Sequence, residues 1–155
     1  MTIYLDDMKE IQGVYDGLSE QLNTLDLSEM LEKKLRELIE EHQEHFDTET
    51  DSSGKGWKPL KPSTIARKGH EMILFETGRL EDSLTERGSA DQILDFIKEE
   101  FFHGLTFGTG VEYAAFHQDK SGDIYRPPVG VSELFIEKLE NDVSDNVVEA
   151  LKKNA

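Results

Sequence analysis

Apolar residues return every three or four positions at the start of the chain. Leu5, Met8, Ile11, Tyr15, Leu18, Leu22 and Leu25 fall on one stripe, the spacing of an amphipathic helix, although Gly13 and Gly17 weaken it. A second helix begins at Asp26, which together with Glu29 three residues on has the form of a capping box. Its inner face runs through Met30 or Leu31, Lys34 or Leu35, Leu38, Ile39, and His42 or Phe46, while Glu32, Glu37, Glu40, Glu41 and Glu44 lie outside. The helical period then stops. Thr48 to Gly56 (TETDSSGKG) is polar and rich in Ser, Gly and Asp, the composition of a mobile loop. Farther on, Phe101, His103, Leu105 and Phe107 alternate with Phe102, Gly104, Thr106 and Gly108, the period of a strand. The small residues on the second face predict close approach of another backbone. Ile93, Leu94, Phe96 and Ile97 fit either a short helix or an irregular strand. Pro127 and Pro128 hold the following loop extended. Ser132 is placed to cap a last helix whose stripe is Phe135, Ile136, Leu139, Val143, Val147 and Leu151.

These elements predict a single α+β domain over residues 1–155, with two N-terminal helices, a small antiparallel sheet and a C-terminal helix. Residues 1–46 are helical, 47–70 form a loop or arm, 71–131 hold the sheet, and 132–153 form the closing helix. The register of 86–101 is left open. Trp57, Leu60, Leu74, Leu80, Phe107, Tyr113 and Phe116 are expected to pack against the helices. In TGRLEDSL, Gly78 after Thr77 marks a sharp turn or cap, Leu80 and Leu84 face inward one turn apart, and Arg79 is exposed or salt-bridged. There is no internal repeat. With 155 residues and no cysteine, the chain has room for one modest core and no disulfide or thiolate metal site. The first residues lack a basic stretch followed by an apolar one, so no secretory signal is expected. No apolar run is long enough to span a bilayer, and a membrane is not an expected partner.

Charge changes the picture in one place. The formal net charge is −16, which argues against DNA as a partner over the whole surface but not against a wall that DNA slides past. Between Asp26 and Asp51 there are ten acids and three bases, a net −7. From Gly54 to His70 there are five basic residues, Lys55, Lys58, Lys61, Arg67 and Lys68, and no acid. The only tryptophan, Trp57, sits in that block just before Lys58 and Pro59. It is either a core plug that holds a long loop or the apolar centre of an arm that docks on a neighbour. The segment looks unsuited to regular helix or strand.

Candidate chemistry is sparse. His42 and His45, flanked by Glu41 and Glu44, could hold a metal from one helix face, but no third ligand is specified, and histidines near a helix C-terminus need no metal. His117 could act as a general base with Asp119 or Asp123, yet no nucleophile or electrophile is marked beside it. SSGKG and GLTFGTG lack the spacing of a phosphate-binding or dinucleotide loop. No catalytic constellation emerges, and neither an enzymatic activity nor a cofactor is expected.

Four motifs in order carry a resemblance. Gly54, Trp57, Pro59 and Leu60 come first, then Thr77, Gly78, Leu80 and Ser83. Gly108, Thr109, Tyr113, Ala114, His117 and Gln118 follow, and Arg126, Pro127, Gly130 and Ser132 close the series. Together they resemble the virion morphogenesis family of tailed phages, the tail completion proteins, over about Phe46 to Leu134. The chain departs from that pattern in having Pro128 and Val129 after Arg-Pro, and in a longer span from Glu86 to Phe101.

The resemblance implies a structural protein of the virion tail or neck, assembled in the host cytoplasm, that makes the head-proximal end of a tail competent to join a DNA-filled head. Its implied partners are further copies of itself in a head-to-tail ring, and tail tube, terminator or connector proteins. DNA would meet it only in passage through a lumen. Trp57, Lys58, Lys61, Arg67 and Lys68 are the expected interaction residues, set against acidic surface such as that of the second helix. Two rival classes are an acidic regulator that binds a basic partner and a small hydrolase dependent on His117.

Overall fold

The computed structural model describes residues 5–23, 25–99, 102–122 and 124–153. Phe101 and Asp123 lie outside them, as do the side chains of Leu5, Met8 and Ile11. The elements in order are α1 (Leu5–Asn23), α2 (Ser28–Thr48), α3 (Pro62–Lys68), α4 (Arg79–Thr85), β1 (Gln92–Glu99), β2 (Phe102–Thr109), α5 (Ala114–Gln118) and α6 (Glu133–Lys153). The α+β class read from the sequence holds.

Helix α2 is the spine. Met30, Leu31, Lys34, Leu35, Leu38, His42, His45 and Phe46 are all buried along it, a stripe that follows the 3.6-residue period. It starts one residue later than the capping-box pattern implied. Leu27 occupies the cap position and provides no side-chain bond, while the Asp26 carboxylate accepts from the backbone N–H and the hydroxyl of Ser28. Lys34 is 2 % exposed and lies 2.8 Å from both Glu37 and Asp142. Burial alone would pull its pKa down, but the hydrogen bonds from these two carboxylates outweigh that and the net shift is upward. A buried ammonium is tolerated only when so paired, and Lys34 thereby ties α2 to α6.

The residues from Ile93 to Ile97 resolve as strand. β1 pairs antiparallel with β2 from Gln92 opposite Thr109 to Glu99 opposite Phe102, a two-stranded ribbon stabilised from one side, where β2 meets α2 and α4. Phe107 packs edge-on to His42, with ring centroids 5.3 Å apart. No second backbone approaches the glycines of β2. A Cβ on Gly104 would touch the Phe102 ring at 3.0 Å, and one on Gly108 would meet nothing within 4 Å.

The core proper gathers Phe46, Trp57, Ile73, Leu80, Leu84, Val111 and Ala114, with Leu60, Leu74, Phe107 and Val129 packed around it. Two expected members are not in it. Phe116 is 75 % exposed and Tyr113 37 % exposed, because α5 is a turn and a half at the surface and shows the core only Ala114. Helix α6 begins as expected: the Ser132 hydroxyl accepts the Phe135 N–H at 3.1 Å. Its own N–H and hydroxyl are donated to the Glu41 carboxylate, which fastens α6 to α2.

The basic block also departs from expectation, since it contains a helix. Pro62 stands in the first turn of α3 with its φ already set, and Gly69 ends it at φ 79, a left-handed conformation suited to glycine.

Candidate functional site

The irregular stretch before α3 is held at almost every residue. Helix α2 ends at Glu49, which turns left-handed at φ 52 and is used twice. Its carbonyl accepts the Trp57 N–H at 2.7 Å, and its carboxylate accepts the Ile73 N–H at 2.7 Å. Between these points the Asp51 carboxylate accepts from Ser53 and Lys55, so TETDSSGKG is a tight turn closed by a bridge between Thr50 and Gly56. Trp57 is 5 % exposed and stacks edge-on against Phe46 at 5.5 Å. It is a core plug. A side chain so enclosed has no face for a neighbour, so any docking role of the block belongs to its basic residues.

Arg126 is the second clamp. Only 7 % exposed, it donates Nε–H to the Lys58 carbonyl and Nη2–H to the Pro59 carbonyl, the latter at 2.9 Å. Burial lowers its pKa, and the Glu49 charge opposes that shift. Planar donors in a fixed fork suit this task better than an ammonium would. The remaining motif residues act alike. Gln118 bonds both backbone groups of Val129. The Ser83 hydroxyl donates to Thr109, which in turn accepts the Val111 N–H. Gly78 is left-handed at φ 81 ahead of α4, and a Cβ on Gly130 would lie 2.6 Å from the Ser52 hydroxyl. Leu80 and Leu84 are buried on α4 as expected, and Ser83 is buried with them.

These clamps shape a cleft of about 1080 Å³. One wall is the stretch from Lys58 to Leu60 with Lys61, Thr64, Arg67 and Lys68 of α3. Leu74, Phe75, Glu76, Thr77 and Arg79 form a second, and Tyr113, His117, Ile124 and Arg126 close the third. Leu74 is held at φ 57, an uncommon conformation for leucine that persists only where the surroundings enforce it. Six cationic side chains and a single carboxylate line the cleft, a formal +5 in a chain of −16. Arg67 and Arg79 meet carboxylates. Arg67 lies 3.1 Å from Glu76. Arg79 is bidentate to Asp91 at 2.6 and 2.7 Å, and it is 3.6 Å from Glu112, in line with the salt-bridged role expected for it. Its hydrogen bonds to Asp91 hold the guanidinium pKa up and the carboxyl pKa down. Lys68 donates to the Met72 carbonyl, and burial lowers its pKa. Tyr113 is pushed up by burial.

Lys58, Lys61, Arg67 and Lys68 are therefore brought together in one cleft, and Trp57 is not among its lining residues. Arg79, Arg126, Phe75 and Ile124 complete it without having been singled out as interaction residues. The motif positions of Arg126 and the turn before Arg79 were the available signals; Phe75 and Ile124 carried none.

The other candidates resolve as framework. His117 has its pKa lowered by burial, opposed by a hydrogen bond with the Ile124 backbone and reinforced by Arg126. Among the described residues no carboxylate acts on it; Asp119 accepts instead from the N–H and hydroxyl of Ser121, and Asp123 lies outside the described residues. His42 and His45 are buried with rings 5.6 Å apart, and the His42 Nδ1–H is donated to the Leu38 carbonyl. Among the described residues no group of three or more His, Cys, Asp or Glu is placed to hold a metal, and no helix is long and apolar enough to cross a membrane.

A small α+β scaffold whose motif residues brace irregular backbone around a basic cleft is a structural assembly module in form. The chain belongs to the phage virion morphogenesis family, whose model matches residues 6–131. Its role is a structural one in virion assembly, within a family not known as enzymatic. No curated protein matches the chain, and no solved structure does.

Proposed function

We propose that the protein completes the head-proximal end of a phage tail or neck so that it can join a DNA-filled head, and that the basic cleft is the surface on which it assembles. The observation that carries the cleft assignment is charge segregation. A formal +5 concentrated in one concavity leaves −21 on the rest of the chain. Copies of so acidic a protein repel one another unless a basic surface bridges them. A cationic patch and anionic surface on the same subunit suit a heterologous, head-to-tail contact, which forms a ring when the rotation closes. Tail tube, terminator or connector proteins would meet the completed ring, and DNA would pass only through its lumen. The protein acts without catalysis, as a member of a structural family would.

The test is the triple charge reversal Lys58→Glu, Lys61→Glu, Arg67→Glu, with Trp57 left intact. All three side chains are exposed, so circular dichroism should remain that of the parent. Supplied in place of the parent protein, the variant should yield filled heads and separate tails. Normal joining of heads to tails by a folded triple variant would refute the cleft assignment.

A further inference from the structure

We propose that the occupant of the basic cleft is helix α1 of a second copy of this chain; the inference rests on the assembly reading above and names the partner of the same site. Helix α1 keeps an apolar stripe in the open. It lies against α6 of its own chain, yet Val14 is 63 % exposed, Tyr15 66 %, Leu18 44 % and Leu22 47 %. Positions 14, 18 and 22 are one helical turn apart and 15 lies beside them, the spacing with which a helix seats an apolar face in a groove. The helix sequence carries five acids and one lysine. Among the described residues, none of α1 lines the cleft of its own chain.

The cleft offers the complement. Its lining combines the apolar side chains of Leu60, Leu74, Phe75 and Ile124 with lysines and arginines. An acidic helix with an apolar stripe matches both features at once, whereas a bare anion would leave the apolar lining uncovered. Helix α2, another acidic surface, is a poorer match. Glu32 is bidentate to Arg87, Glu37 pairs with Lys34, and Glu41 accepts from Ser132. These carboxylates are engaged within the chain, and the apolar stripe of α2 is already buried. Insertion of α1 into the next copy is directional, so each subunit gives one helix and receives one, as head-to-tail closure requires.

Reversed charges and a thiol crosslink test this in the full chain. Asp16→Lys with Glu20→Lys on α1 should weaken self-association by about tenfold, and Lys61→Glu with Arg67→Glu in the cleft should do the same. All four reversals in one chain should restore association, which in the parent should weaken as salt is raised. Because the chain has no cysteine, Leu18→Cys in one copy and Thr64→Cys in another can be joined by a short bismaleimide. The crosslink should form in concentrated protein and in assembled particles, and not when Glu86→Cys replaces Thr64→Cys. Its absence from both, or a failure of the four reversals to restore association, would overturn the helix-in-cleft contact. If the cleft variant alone blocked joining of heads to tails while the α1 variant joined them normally, α1 would be the wrong occupant and the cleft would still serve assembly. If neither variant affected joining, the assembly reading itself would fall.

Discussion

Helix α1 and the stretch from Glu49 to Leu60 invert the usual relation between regularity and packing. Helix α1 has nineteen residues of regular backbone and leaves four large apolar side chains open. Glu49 to Leu60 has almost no regular structure, yet its backbone is bonded to Arg126 and Asp51, its Glu49 carboxylate accepts the Ile73 N–H, and its tryptophan is enclosed. Local hydrogen bonds make a helix without fixing what lies against it. An irregular loop has no such internal ladder, so each buried backbone group must find a specific partner. The loop is therefore fixed by specific partners, whereas the apolar stripe of α1 sits where a partner can still be accommodated.

The sharpest way to break this comparison is Trp57→Ala. Removing an enclosed indole should cost about 3–5 kcal/mol, read as a large fall in the denaturant midpoint. Stability close to the parent's would mean that the loop is not the anchored region. Arg126→Met comes next. It leaves the Lys58 and Pro59 carbonyls without their donor and should cost about 2–3 kcal/mol. Amide exchange should rise across residues 55–61 before it rises in α2; uniform exchange would contradict the clamp. Gly130→Ala forces a methyl group against Ser52 and should cost about 1–3 kcal/mol. Adding Ser52→Gly should restore most of the loss, since Gly130 is limited by space rather than by backbone angle.

A smaller effect is set by pH. Burial holds the pKa of His42, which faces His45 and Glu41, below its usual 6.5, and His117 is lowered in the same sense. The unfolded chain thus takes up protons first as pH falls. The stability these neutral imidazoles contribute is complete above about 6.5 and is lost as pH drops toward their folded values. The midpoint should fall between pH 7 and pH 5, above the range in which carboxylates such as Asp51 protonate, and His42→Phe should flatten that slope. An unchanged slope in that variant would exclude His42 as its source. The smallest effect belongs to α1. Leu18→Gln should change the stability of the monomer by no more than about 0.5 kcal/mol while weakening self-association.

Much of the fold was legible because period survives in sequence. The stripes of α2 and α6, the cap at Ser132 and the alternation of β2 follow from rules that act within a few residues. The motif series was legible too, and it led to the family. The cleft was only half visible. The block from Lys55 to Lys68 announced a positive surface, but the segment looked unsuited to regular structure, and its helix α3, opened by Pro62 and closed by Gly69, was not read. Tyr113 and Phe116 were misplaced for a related reason: aromatic residues in a motif suggest a core, and only the short surface turn of α5 shows that they face outward.

By itself the sequence determined the helical spine, the acidic character and the isolated basic segment, since each depends on residues adjacent in the chain. Only the tertiary structure decided what those features meet. Arg126 reaches the Lys58 and Pro59 carbonyls across 68 and 67 positions, and Arg79 and Ile124 come from separate segments to finish one cleft. Such long-range pairings leave no local period, because they are set by how buried groups find partners once the core has closed.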